Sequence, residues 1–342
     1  MRFTIVGAGA IGGTVGAYMS RGGEDVELVD QAADHVEAMR GRGLSIRGFE
    51  ENFVTPVRAL HPAEVRGPLQ VVLLAVKAQH TRQAVEWMLP LLGTDSAIVS
   101  LQNGLCEEII ADVAGWERTV GAFVNFNADY LEPGLIHLGG PGAFCIGERE
   151  GRVSDRVDEI AHAMRHFMPV NRTDNIAGYL WAKLGWAAVL YATALVDEPM
   201  ADVIDRNRPL MVELACETYE VAGREGVRLE SFDGVEPDLF YPRERQDWQA
   251  IDAALSRAGA LMRRSEKQKT GVWRDLAVRR RKTEVDFHLG AAVQVGNRHG
   301  AAMPLTSKVV SMIHEIEDGR RSMAGSNIDE LDSIRQARAA PA

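Results

Sequence analysis

Little in this sequence suits a disulfide, a metal, a membrane or a nucleic acid. Cys106, Cys145 and Cys216 are the 3 cysteines, odd in number and widely spaced. Such a set is neither a disulfide framework nor a ligand cluster, and it fits a reducing cytoplasm. No HExxH, CxxC or paired-histidine spacing occurs, so no metal is expected. Basic charge is short: 38 Lys and Arg against 48 Asp and Glu leave a net charge of −10. That is the wrong sign for a phosphate backbone, so nucleic acid is not an expected partner. The one basic run, Arg279-Arg280-Arg281-Lys282, reads as a solvated or phosphate-facing helix face. The longest apolar stretch, Tyr179 to Val196, is split by a lysine, and no membrane span is expected. Strand-like residues begin at Arg2 and leave no room for a signal peptide, so a cytoplasmic location is expected. Internal repeats and low-complexity blocks are absent.

What is present is an ordinary globular composition, 46% hydrophobic and 25% charged over 342 residues, which points to about two domains. The chain is organised around its first thirty residues. The β-branched run Arg2 to Val6 breaks into Gly7-Ala8-Gly9-Ala10-Ile11-Gly12; a helical stretch to about Met19 follows, then a second apolar run, Val26 to Val29, ending in Asp30. Strand, glycine turn, helix, strand and acid is the order of a dinucleotide-binding βαβ unit. Gly7 permits the sharp turn, Gly9 a close approach to a pyrophosphate, and Gly12 tight packing of helix on strand, with helix N-terminal amides facing the phosphates. Asp30 follows Gly12 by 18 residues, near the roughly 20 expected of an acid that binds the adenosine ribose. Its charge would repel a 2′-phosphate, so NAD is the expected cofactor and NADP the less favoured one. Arg40 and Arg42 could approach such a phosphate, but their distance in sequence from the strand end weighs against it.

Gln70 to Val76 and Ala97 to Leu101 are continuous apolar runs of strand length, the mark of strands buried on both faces in a parallel sheet. They deliver Lys77 and Gln102-Asn103-Gly104 to their carboxyl ends, where such sheets bind ligands. Helices are expected from Gln31 to Arg40, from Thr81 to Leu92 closed by Gly93, and from Glu107 to Val113. Further strands are expected at Leu44 to Arg47 and Thr119 to Val124, and Pro133-Gly134 to Gly139-Gly140 reads as a loop. The expected fold is α/β: a doubly wound Rossmann domain over residues 1–172, then a mostly helical domain over 173–342 with a partly irregular tail from Gly319.

Within Tyr179 to Val196 the single charge is Lys183. A helix apolar all round is buried, and burying an ammonium costs several kcal/mol or lowers its pKa. Beside a nicotinamide such a lysine could protonate a carbonyl oxygen or deprotonate an alcohol. A second polar group lies in a long helix expected from Asp275 to His299, where Glu284 and His288 are one turn apart and Asp286 faces elsewhere. His288 reads as a satisfied imidazole.

Together these residues resemble the ketopantoate reductase (2-dehydropantoate 2-reductase) family across most of the chain. The resemblance rests on the glycine turn, Val76-Lys77-Ala78, Leu101-Gln102-Asn103-Gly104, Pro133-Gly134 with His137, and Asp174-Asn175-Ile176. It continues through Leu180-Trp181-Ala182-Lys183-Leu184, Thr283-Glu284-Val285-Asp286, and His299-Gly300 with Pro304. It implies a Rossmann domain followed by a helical domain with the active site in the cleft. Lys183 would be the proton donor, Asn103 would touch nicotinamide and substrate, Lys77 would lie beside the cofactor, and Glu284 would bind its ribose. The chain departs from the family where substrate is bound. Two asparagines expected one and two turns after the lysine are Ala187 and Tyr191, and the serine for the substrate carboxylate falls near Thr270-Gly271, one residue further from Glu284. Tyr191, on the helical face of Lys183, is expected to reach into the cleft. The expected function is an NAD-dependent oxidoreductase acting on a hydroxy or oxo group of a small carboxylated metabolite, with 2-dehydropantoate a poor substrate and oxidation the favoured direction. The alternatives are an NADPH-dependent 2-dehydropantoate 2-reductase and, in another class, a non-catalytic dinucleotide sensor. The expected partner is a small-molecule substrate, and a homodimer is left open.

Overall fold

The computed structural model describes residues 1–48, 51–265 and 267–339. The chain separates into two compact units, Met1–Ile176 and Ala177–Ala342.

The first unit runs β1 (Arg2–Val6), α1 (Ala10–Arg21), β2 (Asp25–Val29), α2 (Ala33–Arg42), β3 (Leu44–Gly48), β4 (Asn52–Thr55), β5 (Arg58–Leu60), β6 (Leu69–Leu74), α3 (Thr81–Met88) and β7 (Leu92–Ser100). It continues with α4 (Cys106–Ala114), β8 (Thr119–Val124), β9 (Asn127–Glu132), β10 (Leu135–Gly140), β11 (Phe144–Gly147), α5 (Asp155–Met164) and β12 (Asn171–Arg172). Eight strands form one sheet in the order β12-β11-β8-β7-β6-β1-β2-β5. It is parallel from β8 through β5, and β11 runs antiparallel to β8. β1 sits inside it, Phe3 facing Val26 on one side and Val71 on the other. Its residues Phe3 to Val6 are all buried, because both faces are covered, as an apolar run requires.

Three expectations for this unit need correction. The helix expected to Leu92 ends at Met88, and a single 3₁₀ turn over Leu89–Leu91 leads into β7, which begins at Leu92 and takes Gly93 as a strand residue rather than a cap. Pro90 explains this: it lacks the N–H that a continuing helix needs. The segment read as a loop is a hairpin, β9 and β10, turning at Pro133-Gly134 with Gly134 at φ +76°. Glycines in the turn and at the end of β10 bracket a short strand and give the segment the look of a loop. Finally, β3 does not join the large sheet; it builds a second one, β4-β3-β10-β9.

The second unit contains α6 (Ile176–Thr193), α7 (Met200–Arg206), α8 (Arg208–Arg224), α9 (Trp248–Arg264), α10 (Gly271–Ala277), α11 (Leu289–Arg298), α12 (Pro304–Glu317) and α13 (Ser326–Ala339). α6 and α8 lie close because Gly185 has no side chain: a Cβ there would fall 2.0 Å from Cε1 of Tyr219. The Tyr219 hydroxyl then donates to the Ala182 carbonyl at 3.2 Å. The single long helix expected from Asp275 to His299 is instead α10 and α11 with a non-helical stretch between them. Arg280, at φ +48°, interrupts it, a conformation that ends a right-handed helix. The basic run is therefore not a helix face. Arg279 and Arg281 both donate to the Asp275 carboxylate, at 2.9 and 3.0 Å.

The tail is largely helical. Asn327, buried, donates to the carbonyls of Leu195 and Ser322 and accepts from Arg321. Further on, Arg338 donates to Glu217 at 2.7 Å. Glu217 also accepts the Leu305 and Thr306 amides at the start of α12, so one buried carboxylate holds two helices. No helix among the described residues is long and apolar enough to cross a membrane.

Candidate functional site

The first unit's residues expected around the cofactor sit at one edge of the large sheet, whereas Glu284 belongs to the second unit. Gly7 and Asp30 directly follow β1 and β2, and Lys77 and Asn103 come three residues after β6 and β7. Those four strands are neighbours and parallel, so their carboxyl ends share that edge.

The glycine turn is constrained by contact. Gly7 has φ +97°, and a Cβ on it would lie 2.7 Å from the Val76 nitrogen. A Cβ on Gly12 would lie 2.2 Å from the Gly7 carbonyl oxygen and 2.9 Å from Ile5 Cγ2. Gly9 differs: nothing lies within 4 Å of its Cβ position. Gly9 is also the N-cap of α1, with no side-chain cap bond and no acid in the first turn. Free space beside uncapped N-terminal amides fits a pyrophosphate, which would take the hydrogen bonds those amides offer.

Sequence reasoning missed the residue that braces this turn. His35 of α2 is buried. Its Nε2 donates to the Ala8 carbonyl at 2.9 Å, and its Nδ1 accepts the Gly134 N–H at 2.9 Å. An amide N–H can only donate, so the two bonds fix the Nε2–H tautomer. The glycine turn is thereby tied to the hairpin turn. No motif announces a histidine in a polar helix.

Asp30 is half-buried. One of its oxygens accepts the Ala32 N–H at 2.9 Å, which orients the carboxylate at the strand end. Both nearby arginines are committed elsewhere. Arg40 donates to the Ala59 carbonyl at 2.8 Å and pairs with Glu64, and Arg42 donates to the Pro133 carbonyl. Lys77 and Asn103 are exposed. Gln102 fixes the loops that carry them: its Nε2 donates to the Val76 carbonyl at 2.9 Å and to Thr81 Oγ1 at 2.8 Å.

The second unit holds Lys183, Tyr191, Thr270 and Glu284. Lys183 is half-buried on α6. Burial pushes its pKa down to about 8, against the pull of the Asp233 carboxylate. Asp233 was not anticipated, although Asp233-Gly234 is a turn signal. Both residues have positive φ, +43° and +81°, and the Phe232 and Val235 amides and carbonyls bond each other across them at 3.0 and 2.7 Å. The same loop is pinned to α6 by Glu230 N–H donating to the Gly178 carbonyl at 3.3 Å.

Tyr191 departs from expectation. It is 3% exposed and its hydroxyl lies 2.9 Å from His288 Nδ1. Burial raises its pKa, and the charge of Glu284, ahead of other carboxylates, adds to the rise. The reason is helical geometry: eight residues advance about 800°, so Tyr191 is rotated some 80° from Lys183. Glu284 and His288 do share a turn, with the His288 N–H donating to the Glu284 carbonyl at 3.1 Å. Thr270 caps α10, its oxygen accepting the Trp273 N–H at 3.1 Å; that leaves the hydroxyl proton available to a ligand. Among the described residues no cluster of three or more His, Cys, Asp or Glu side chains could hold a metal ion.

Residues 3–151 match the family model "Ketopantoate reductase PanE/ApbA", and residues 175–317 match "Ketopantoate reductase PanE/ApbA C terminal". A 2-dehydropantoate 2-reductase of Mesorhizobium japonicum is 27% identical, over 92% of this chain and 98% of its own length. The crystal structure of a 2-dehydropantoate 2-reductase from Geobacter metallireducens GS-15 superposes with a TM-score of 0.78 at 28% identity, covering 92% of this chain and 99% of that one. A D-mandelate dehydrogenase, solved with NADH and anilino(oxo)acetate, reaches a TM-score of 0.78 at 20% identity, covering 94% and 99%. At that identity it shares the fold alone.

Proposed function

The chain belongs to the ketopantoate reductase family, and on that premise we propose that it is an NAD-dependent oxidoreductase interconverting a hydroxy group and a carbonyl on a small carboxylated metabolite. The observation that carries the chemistry is Lys183, half-buried in an apolar helix with its pKa lowered to about 8. A group poised near the working pH can both give and take a proton. A bound nicotinamide supplies or accepts the hydride. In reduction the Lys183 ammonium gives its proton to the carbonyl oxygen as that oxygen gains charge; in oxidation the amine takes the hydroxyl proton.

The remaining roles follow the chemistry of each group. Gly7 to Gly12 and the start of α1 hold the pyrophosphate, and Asp30 accepts from the adenosine ribose. Lys77, Asn103 and Glu284 complete the cofactor contacts, Asn103 also touching substrate. The Thr270 hydroxyl donates to the substrate carboxylate; Tyr191, buried against His288, is given no contact with the substrate.

The preference for NAD is supported by the Asp30 carboxylate and by the commitment of Arg40 and Arg42 to other partners. It is expected to be worth about 1.5–3 kcal/mol, the range of hydrogen bonds to charged groups. Titration of the protein with NADH and NADPH tests it: equal or tighter binding of NADPH overturns the preference. The relatives named 2-dehydropantoate 2-reductase favour a second reading, NADPH-linked reduction of 2-dehydropantoate. A kcat/KM with NADH and 2-dehydropantoate above about 10⁴ M⁻¹s⁻¹, ordinary for a native substrate, would establish that substrate in place of another.

A further inference from the structure

Past its first turn, where Ala177 is also half-buried, α6 is buried all round except along one line. From Gly178 to Thr193 the half-buried positions are Tyr179, Lys183, Trp186, Ala187 and Leu190, and the others are buried. Steps of four, three, one and three residues trace a single stripe on a helix of 3.6 residues per turn. Beyond Lys183, toward the carboxyl end, this stripe offers an indole, a methyl group and an isobutyl group. Its only polar atom there is the Trp186 N–H, which can donate but not accept. The two hydroxyls at that end of the helix able to do both lie off the stripe and are buried: Tyr191, 2.9 Å from His288, and Thr193, which donates to the Leu190 carbonyl.

We propose that Trp186, Ala187 and Leu190 form the substrate wall beside Lys183, and that they select a 2-oxo or 2-hydroxy acid whose remaining substituent is apolar. The inference rests on the reading of Lys183 as the proton-transfer group. It follows from desolvation: a hydroxyl on that substituent would leave water for a wall that cannot accept its hydrogen bond. An aliphatic or aromatic group would instead gain from the indole and the isobutyl side chain.

A matched pair of substrates isolates this claim. 2-Dehydropantoate and 3,3-dimethyl-2-oxobutanoate differ only by a hydroxyl on one methyl group. With NADH, the deoxy compound is expected to have a kcat/KM higher by about 10- to 100-fold, the limited discrimination an apolar pocket achieves against an added hydroxyl. A site built to bond that hydroxyl reverses the order, by about 10⁴-fold or more. The same preference is expected without turnover, in calorimetric affinities of the corresponding hydroxy acids for the protein–NADH complex. Ala187→Asn, which places an amide on the stripe, should move the ratio toward 2-dehydropantoate by about tenfold, and Trp186→Leu should weaken binding of a phenyl-substituted oxo acid.

A preference for 2-dehydropantoate, or a ratio near one, overturns the inference and leaves the oxidoreductase reading standing. A ratio that favours the deoxy compound but ignores both substitutions overturns the assignment to this stripe. Failure of every oxo acid with either nicotinamide overturns both.

Discussion

The two halves of the candidate machinery are made of different material. The sheet edge of the first unit is built from backbone: missing side chains at Gly7, Gly9 and Gly12, uncapped amides at the start of α1, and strand ends that fall together because neighbouring strands are parallel. The α6 face of the second unit is built from side chains, and distant segments set their properties. Asp233 acts on Lys183 from a turn fifty residues on (233 − 183), and His288 holds Tyr191 from ninety-seven residues away. A site made largely of backbone is disturbed more by added atoms than by most charges, Asp30 apart. A site made of side chains accepts small changes of shape and answers strongly to a change of charge.

Removing the charge at Lys183 is the sharpest test of that contrast. Lys183→Met keeps most of the length of the side chain and should lower turnover by about 10²- to 10⁴-fold, while NADH affinity, measured by titration, stays nearly unchanged. Stability should move the other way. The folded chain holds the Lys183 proton more weakly than the unfolded chain, since the pKa falls from 10.5 to about 8. Unfolded chains therefore bind more protons between those values, and stability rises with pH across that window. In Lys183→Met this rise should vanish, and the thermal midpoint at neutral pH should increase. A variant that folds, binds NADH and turns over normally would end the assignment.

The glycines test the backbone half with a smaller effect. In Gly12→Ala the new methyl meets a carbonyl oxygen at 2.2 Å, a contact relieved only by moving the main chain. A loss of about 1–3 kcal/mol in stability is expected in denaturant titration. Gly9→Ala should change stability by less than about 0.5 kcal/mol, because its site is open and its φ of −68° suits alanine. Its NADH affinity should nevertheless fall about tenfold or more, which is about 1.4 kcal/mol. If Gly9→Ala binds NADH like the parent, the space beside α1 is not where the pyrophosphate lies.

This division also explains what could be read in advance. The glycine turn, Asp30 and the buried strands were legible because backbone geometry repeats with fixed short spacing. Lys183 stood out as a charge in an apolar run. The hairpin β9–β10 is hidden because Pro133-Gly134 and Gly139-Gly140 read as loop and the strand between them is short, and the break between α10 and α11 because it depends on a single residue, Arg280, at positive φ. Tyr191 was misplaced by treating eight residues as two whole turns; the 80° that remain put it on the buried side. His35 and Asp233 had no local signal beyond a turn dipeptide, because what they do depends on tertiary contact.

The smallest expected effect comes from Asp233, and it separates a charge that tunes from a charge that reacts. Lys183 must be protonated to reduce a carbonyl, so kcat for reduction should fall as pH rises through about 8, and kcat for oxidation should rise through the same point. Asp233 stabilises the ammonium, so in Asp233→Asn the neutral amine gains ground and both limbs move to lower pH, by about one unit. The plateau rate should change little, because the proton-transfer group itself is intact. Asp233→Glu, which restores the charge, should return the limb toward its parental position. Residue 233 must also hold positive φ, at +43°, and among side chains lacking the charge asparagine is the one best able to do so, glycine aside. The turn that pins the loop to α6 should therefore survive in Asp233→Asn, and a loss of turnover with an unmoved pH profile would show that Asp233 serves the fold and not the lysine.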